Sequence, residues 1–314
     1  MNSEFAEFHD ELRSVAGDLL AKDRRVQWST LVDAGWVGLE VPEQFGGAGA
    51  SFAETAVVCE EIGRAASATG YLGSAVLAVG TLNALQPSDT RDRLLAEVAS
   101  GSSRVAVALE PYEFVPDAEG ADCVLVVAGE GVTATTPTVT AQLVVDETRR
   151  LATVTPQSGE LLRFGSDAAV QRLHDRAAVA IACDSLGLSE AMLDATVGYA
   201  KVRHQFGRAI GSFQAVKHAC ADMLVSIAVS RQLVGAAVQA VAEGQRDAGR
   251  AASMAKAHAC AAAVDIAGKA MQLHGGIGYT WESGIHVYLK RATLNRSLFG
   301  SPAAHRKRLA QRYL

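Results

Sequence analysis

Apolar residues recur at helical spacing over the first hundred residues, as in FHDELRSVAGDLLA and TLVDAGWVGL. The segment VPEQFGGAGAS interrupts this pattern with Pro42 and three glycines. A helical pattern starts again in FAETAVVCEEIGRAA, where Ser51 is a candidate N-cap. The pattern predicts an N-terminal helical domain over residues 1–103.

The pattern changes at residue 104 to short β-branched runs bounded by Gly, Pro and Asp, such as RVAVALEP, CVLVVAGE and LATVTPQ. These runs predict a small antiparallel sheet over residues 104–166. Long helical segments then return and predict a bundle of about four helices over residues 167–314. Within this bundle, the Met, Leu and Val residues of 220–240 predict core positions. The predicted fold class is therefore mainly α, with a reduced antiparallel β domain between a helical domain and a helical bundle.

Composition narrows the function classes. The net charge of the 314 residues is -5. Nucleic-acid binding is not predicted, because it requires a concentrated basic surface and the sequence shows none. No uninterrupted apolar run reaches the ~18 residues of a membrane span, and the N-terminal residues lack the signal-peptide pattern. The five cysteines are scattered without a CxxC pair, and the histidines show no metal-ligand spacing. We therefore expect a cytoplasmic protein without a metal, a membrane anchor or nucleic acid.

Two segments in the predicted bundle suit nucleotide binding. RHQFG at residues 203–207 is followed by Gln214, and QLHGGIG occupies residues 272–278. Each segment is predicted to lie at a helix end, where glycines permit close backbone approach to a ligand. Arg203 offers the planar donor fork that matches a pyrophosphate. Taken alone, either segment is more often an ordinary turn.

Taken together, the segments resemble the R-x-x-F-G…Q and Q-x-x-G-G-x-G motifs of the acyl-CoA dehydrogenase family. The N-terminal WVGLEVPEQFGGAG and EEIGR are similar to that family's signature as well, so the resemblance covers essentially the whole chain. It implies FAD bound between paired subunits, with the bundle segments contacting the ADP half. By position, the candidates for those contacts are Arg203, Gln205, Phe206, Gln214, Gln272 and Gly276.

The family removes the acyl α-proton with a Glu while flavin N5 accepts the β-hydride. The resemblance places the two positions that this Glu can occupy at Phe299 and Ala177, and neither is a carboxylate. Asp175 is the only acid close to either position along the chain. It lies about 200° around a helix from Ala177 and should face elsewhere. The sequence therefore predicts no competent base in this chain.

The flavin pocket also departs from the family. Only Ala108-Leu-Glu110-Pro111 remains of the strand and loop that bind the flavin ring in the family. The tryptophan expected beside the ring is missing, since the three tryptophans stand at positions 28, 36 and 281. We therefore expect a degenerate isoalloxazine pocket combined with an intact ADP-binding surface.

These departures suggest an obligate partner. We expect a full-length acyl-CoA dehydrogenase homologue to supply the Glu and the flavin pocket, in an α2β2 tetramer assembled through the bundle helices. The chain resembles the short subunits of heterotetrameric acyl-CoA dehydrogenases of steroid-degrading actinobacteria. That resemblance implies an acyl-CoA substrate derived from cholesterol and an electron-transfer flavoprotein or similar acceptor. Two alternatives stay open: a self-sufficient homo-oligomer, and a non-catalytic scaffold subunit.

Overall fold

Helices connected by short turns form the first part of the computed structural model, which describes residues 3–129 and 131–311. Ser51 caps the third helix as predicted, because its backbone N–H donates to Glu54 Oε2 at 2.8 Å while its hydroxyl accepts from Ala53. A π-helical stretch, Leu72–Ala78, leads into the fourth. The helices are α1 (Ser3–Leu20), α2 (Trp28–Asp33), α3 (Phe52–Ala65), α4 (Val79–Ala84) and α5 (Asp89–Ala99).

The β region contains two small sheets, ordered β1-β3-β4-β7 and β2-β6-β5. The predicted antiparallel pairing holds for every ladder in these sheets except β1 with β3, which is parallel with Val105 opposite Cys123. The chain crosses to the other sheet through β2 between these strands, so β3 returns in the direction of β1. The strands are β1 (Val105–Ala108), β2 (Val115–Pro116), β3 (Cys123–Ala128), β4 (Gly131–Thr135), β5 (Thr138–Gln142), β6 (Leu151–Thr155) and β7 (Glu160–Arg163).

The C-terminal helices confirm the mainly helical fold with a small β region. Ser185 contacts Cys260 and Tyr199 stacks on His274, so α6 and α8 run parallel. The helix α7 runs antiparallel to both, which places the end of α6, the start of α7 and the end of α8 together. The elements are α6 (Ala169–Val202), β8 (His204–Gln205), β9 (Arg208–Ala209), α7 (Gln214–Ala242), α8 (Ala248–His274), α9 (Ile285–Ser297) and α10 (Pro302–Ala310).

Helices α3 and α6 approach within backbone contact. A Cβ added at Gly187 would lie 1.9 Å from the carbonyl oxygen of Glu60, and one at Gly63 would lie 2.0 Å from that of Asp184. Only glycine fits at these two positions, because any side chain would occupy the space of the facing backbone. The crossing therefore fixes the N-terminal helices against the bundle.

A buried polar network centres on Asp184. Arg291 donates from Nε to Asp184 Oδ1 at 3.0 Å, from Nη2 to Oδ2 at 2.6 Å, and from Nη1 to the Ser67 carbonyl at 3.0 Å. Asn295 and Arg149 donate to the same carboxylate at 2.7 and 2.9 Å. Burial disfavours the charged carboxylate, but the two guanidinium groups outweigh it and lower the pKa of Asp184 to about 2. The network joins α6, α9, the β region and the N-terminal helices.

Candidate cofactor site

The Arg203 segment forms a tight hairpin directly after α6. Arg203 leaves the helix with an extended ψ of 122°, while its N–H still donates to the Tyr199 carbonyl at 2.9 Å. Its own carbonyl accepts from Ile210 at 2.8 Å. Phe206 and Gly207 turn the hairpin with positive φ angles of 53° and 77°. The hairpin displays the Arg203 side chain to solvent.

Exposed side chains from this hairpin surround the start of α7. The Phe206 ring is 91 % exposed and meets Phe213 edge to face, with ring centroids 6.2 Å apart. The Gln205 amide donates to the carbonyl of His204 at 2.9 Å. Gln214 is the exposed first residue of α7, and the N-cap Phe213 provides no side-chain acceptor for the first N–H groups. The start of this 29-residue helix can therefore attract an anion.

The second segment lies at the end of α8. The helix ends at His274, and Gly275 then adopts φ 62° and ψ -141°, a conformation that other residues avoid. Gln272 and Gly276 are exposed, and a Cβ added at Gly276 would meet no atom within 4 Å among the described residues. The His274 ring stacks on Tyr199 of α6 with centroids 4.4 Å apart. The stack brings this turn beside the Arg203 hairpin, so all six candidates lie at one end of the bundle.

The two positions for the catalytic Glu lie elsewhere. Ala177 is fully buried in α6. Phe299 is half-buried after α9, in a turn with φ 54°, and its carbonyl lies 3.0 Å from His305 Nε2. Lys256 Nζ donates to the next carbonyl, that of Gly300, at 3.0 Å. His305 and Lys256 thus hold the backbone of this turn, although the Phe299 side chain carries no carboxylate.

Asp175 does not face the Phe299 turn as a free base. Its Oδ1 accepts from Arg308 Nη1 at 2.7 Å and from the Gln171 amide at 3.1 Å. This ion pair and the amide contact occupy the carboxylate.

A cavity of about 520 Å³ adjoins Phe299. Its walls are mostly apolar, but Glu110 and Glu113 from the loop after β1 also line it, beside His174 of α6. Burial lowers the pKa of His174, which favours the neutral imidazole. Asp175 is the acid close to Phe299 or Ala177 along the chain, whereas Glu110 and Glu113 approach Phe299 in space. The sequence analysis missed the two glutamates, because nearly two hundred residues separate them from Phe299. The only local signal was the position of Glu110 next to the remaining family-like strand.

Comparisons with known proteins agree with this architecture. The N-terminal domain family of the acyl-CoA dehydrogenases matches residues 2–102, and the C-terminal domain family matches residues 163–314. The acyl-CoA dehydrogenase IpdE2 of Mycolicibacterium smegmatis is 38 % identical over 284 residues, which cover 90 % of this chain and 86 % of that protein.

Solved structures show the same fold. The steroid acyl-CoA dehydrogenase Tcur3481–Tcur3483, solved as a variant, matches with a TM-score of 0.87 and 26 % identity, covering 98 % of this chain and 97 % of the other. A chain of the ChsE4–ChsE5 complex from Mycobacterium tuberculosis matches with a TM-score of 0.85 and 22 % identity, covering 97 % and 96 %. These matches extend over nearly the whole of each chain.

Proposed function

Because the chain belongs to the acyl-CoA dehydrogenase family, we propose that it is a subunit of an FAD-dependent enzyme and contacts the ADP half of the cofactor. A full-length homologue in the same complex supplies the catalytic Glu and the isoalloxazine pocket. One observation carries this proposal. The residues suited to the ADP half stand together on an exposed end of the bundle, whereas the family's base position holds Phe299.

Five of the six residues at the bundle end have a direct part in holding the cofactor, and the Gln205 amide holds the hairpin through the His204 carbonyl. When bound, FAD accepts the hydride from the substrate. Arg203 offers a planar fork of donors to the pyrophosphate, and the N–H groups at Gln214 direct the positive end of the α7 dipole toward the same anion. Gln272 supplies amide hydrogen bonds, while Gly276 leaves room for the ligand. The exposed Phe206 ring covers apolar ligand surface and excludes water.

The partner subunit would cover α7. Sequence periodicity predicted core positions here, and Met223 is indeed buried, but Leu224, Val225 and Val229 are 57, 64 and 42 % exposed. Such a run of apolar side chains is typical of a subunit contact. The surface is continuous with the cofactor end because α7 begins at Gln214. Assembly through this helix would yield the α2β2 tetramer.

The relatives support a substrate class. The steroid acyl-CoA dehydrogenase Tcur3481–Tcur3483 is 26 % identical over 98 % of the chain, so we infer that the complex desaturates a steroid-derived acyl-CoA. The electrons that the complex removes from its substrate pass to an electron-transfer flavoprotein or a similar acceptor. The five cysteines are free thiols, in keeping with a cytoplasmic location. We propose domain boundaries of 1–103, 104–166 and 167–314.

A second candidate is a self-sufficient homo-oligomeric acyl-CoA dehydrogenase. Glu110 and Glu113 favour it, because both residues line the same cavity as Phe299. One of them would then replace the missing base at the α-carbon.

The ratio of FAD to protein in the chain purified alone separates these candidates. A flavin-free chain supports the partner-dependent enzyme, whereas one FAD per chain, bleached by an acyl-CoA, would establish the homo-oligomer. Arg203→Ala should then lower the flavin content of the complex isolated with a tagged chain. Arg246→Ala is the matched control, since it removes the same charge from the exposed loop between α7 and α8 at the other end of the bundle. Equal flavin content in both variants would remove Arg203 from the site.

A further inference from the structure

Two stacked rings join the two cofactor segments. The rings of Tyr199 and His274 lie 4.4 Å apart between centroids and 21° from parallel. His274 is only 7 % exposed, and its Nδ1 lies 2.8 Å from the Ala270 carbonyl oxygen. Because a carbonyl only accepts, Nδ1 is the donor in this bond. This bond fixes the ring along its own helix and leaves one face for Tyr199.

Each ring belongs to a residue at the helix end that leads into one segment. The Tyr199 carbonyl accepts the Arg203 N–H at 2.9 Å, so the ring stands one helical turn before the hairpin. On the other side, His274 is the last residue of α8 and precedes the Gly275 turn. That turn folds tightly against the helix end, since a Cβ added at Gly278 would lie 3.1 Å from the His274 Cβ and 2.5 Å from the Met271 carbonyl. The stack therefore joins the end of α6, which leads into the hairpin, to the end of α8, which leads into the Gly275 turn.

We propose that Tyr199 and His274 are positioning residues, which hold the Arg203 hairpin and the Gly276 turn at the spacing that one ADP group requires. The inference rests on the proposed function. Neither ring needs to touch the cofactor. Their contribution is preorganisation: two segments already held in the binding geometry lose less conformational freedom when the ligand binds both.

The test uses the complex that an affinity-tagged chain carries from its own host. The dissociation constant of FAD is measured by equilibrium dialysis of the wild type and of Tyr199→Ala and His274→Ala. Each Ala variant loses the stack and should raise the constant about 3- to 10-fold, the range for an aromatic pair. Tyr199→Phe keeps the stacked ring and should restore near-native binding.

Two further variants separate positioning from general stability. Val234→Ala removes buried volume from the middle of α7, so it should lower the melting temperature without changing the FAD constant. If an Ala variant at the stack fails to fold, the Leu variant takes its place, because Leu keeps most of the buried volume but provides no ring.

A double-mutant cycle between Arg203→Ala and His274→Ala gives the decisive readout. If His274 acts by placing Arg203, the double variant should bind FAD scarcely more weakly than Arg203→Ala alone. Fully additive losses, or an unchanged constant in both Tyr199→Ala and His274→Ala, would overturn the positioning role. If Arg203→Ala itself leaves the constant unchanged, the proposed ADP contact fails instead.

Discussion

Replacing Arg291 by Met removes the central cation of the buried network. Its guanidinium is 1 % exposed and donates to both oxygens of Asp184, to the Ser67 carbonyl and to the Thr148 hydroxyl, the last at 2.6 Å. Met has a similar apolar length but no donor. The variant therefore leaves these acceptors without their partner while it keeps most of the buried volume.

The expected loss follows from the remaining partners. Removing one member of a buried ion pair costs about 3–5 kcal/mol, because the other charge stays buried. Asp184 keeps Arg149 at 2.9 Å and Asn295 at 2.7 Å, so we expect the lower end, about 3 kcal/mol. In a chain of 314 residues such a loss lowers the melting temperature by roughly 5 °C.

Thermal unfolding at neutral pH, followed by far-UV circular dichroism, measures this loss. All proteins are compared at one concentration and with saturating FAD, since ligand binding shifts the transition. Lys290→Met is the matched control. It removes a cation from the preceding position of α9, but its ion pair with Glu147, at 2.8 Å, lies at the surface. The control should have the same melting temperature as the wild type.

A melting temperature of Arg291→Met within about 2 °C of the wild type would refute the reasoning. It would show that Arg149 and Asn295 suffice for the buried carboxylate, and that the contacts to Ser67 and Thr148 add little.

Three further predictions follow from other contacts. Asp184 has a pKa of about 2 in the folded protein against an ordinary 3.8, so the stability that its charge contributes is complete above about pH 4 and is lost as the pH falls toward 2. In acid unfolding titrations Asp184→Asn should not show this loss of stability, and a loss that persists in the variant would belong to another group. Gly187→Ala should lower the free energy of unfolding in urea by about 1–3 kcal/mol, because the added Cβ would clash with the Glu60 carbonyl. Gly198→Ala, on the open face of α6, should leave this free energy unchanged, and equal stability of the two variants would contradict the close helix crossing. Phe299→Glu should leave the chain alone without dehydrogenase activity, as should Phe299→Gln; turnover by the Glu variant only would show that the flavin pocket is intact.

Local patterns predicted much of the fold. Helical periodicity marked the long helical segments after residue 167, β-branched runs marked β1, β3 and β6, and the Ser51 cap followed from the residues beside it. Each of these features depends on interactions within a few residues. The parallel pairing of β1 with β3 did not follow, because two strand patterns do not specify which sheet the intervening strand joins.

The features of the site also divide into those that local sequence predicts and those that depend on contacts between distant residues. The order of the residues alone identified the two glycine-containing segments around Arg203 and Gln272, the Phe at position 299, and the family that these motifs resemble. The folded arrangement was needed to show that Glu110 shares a cavity with Phe299 and that Tyr199 stacks on His274. These partners lie between 75 and nearly two hundred residues apart. Periodicity predicts that a helix has an apolar face, but the packing of whole elements determines which helix or sheet covers that face. On α7 this packing leaves apolar side chains exposed.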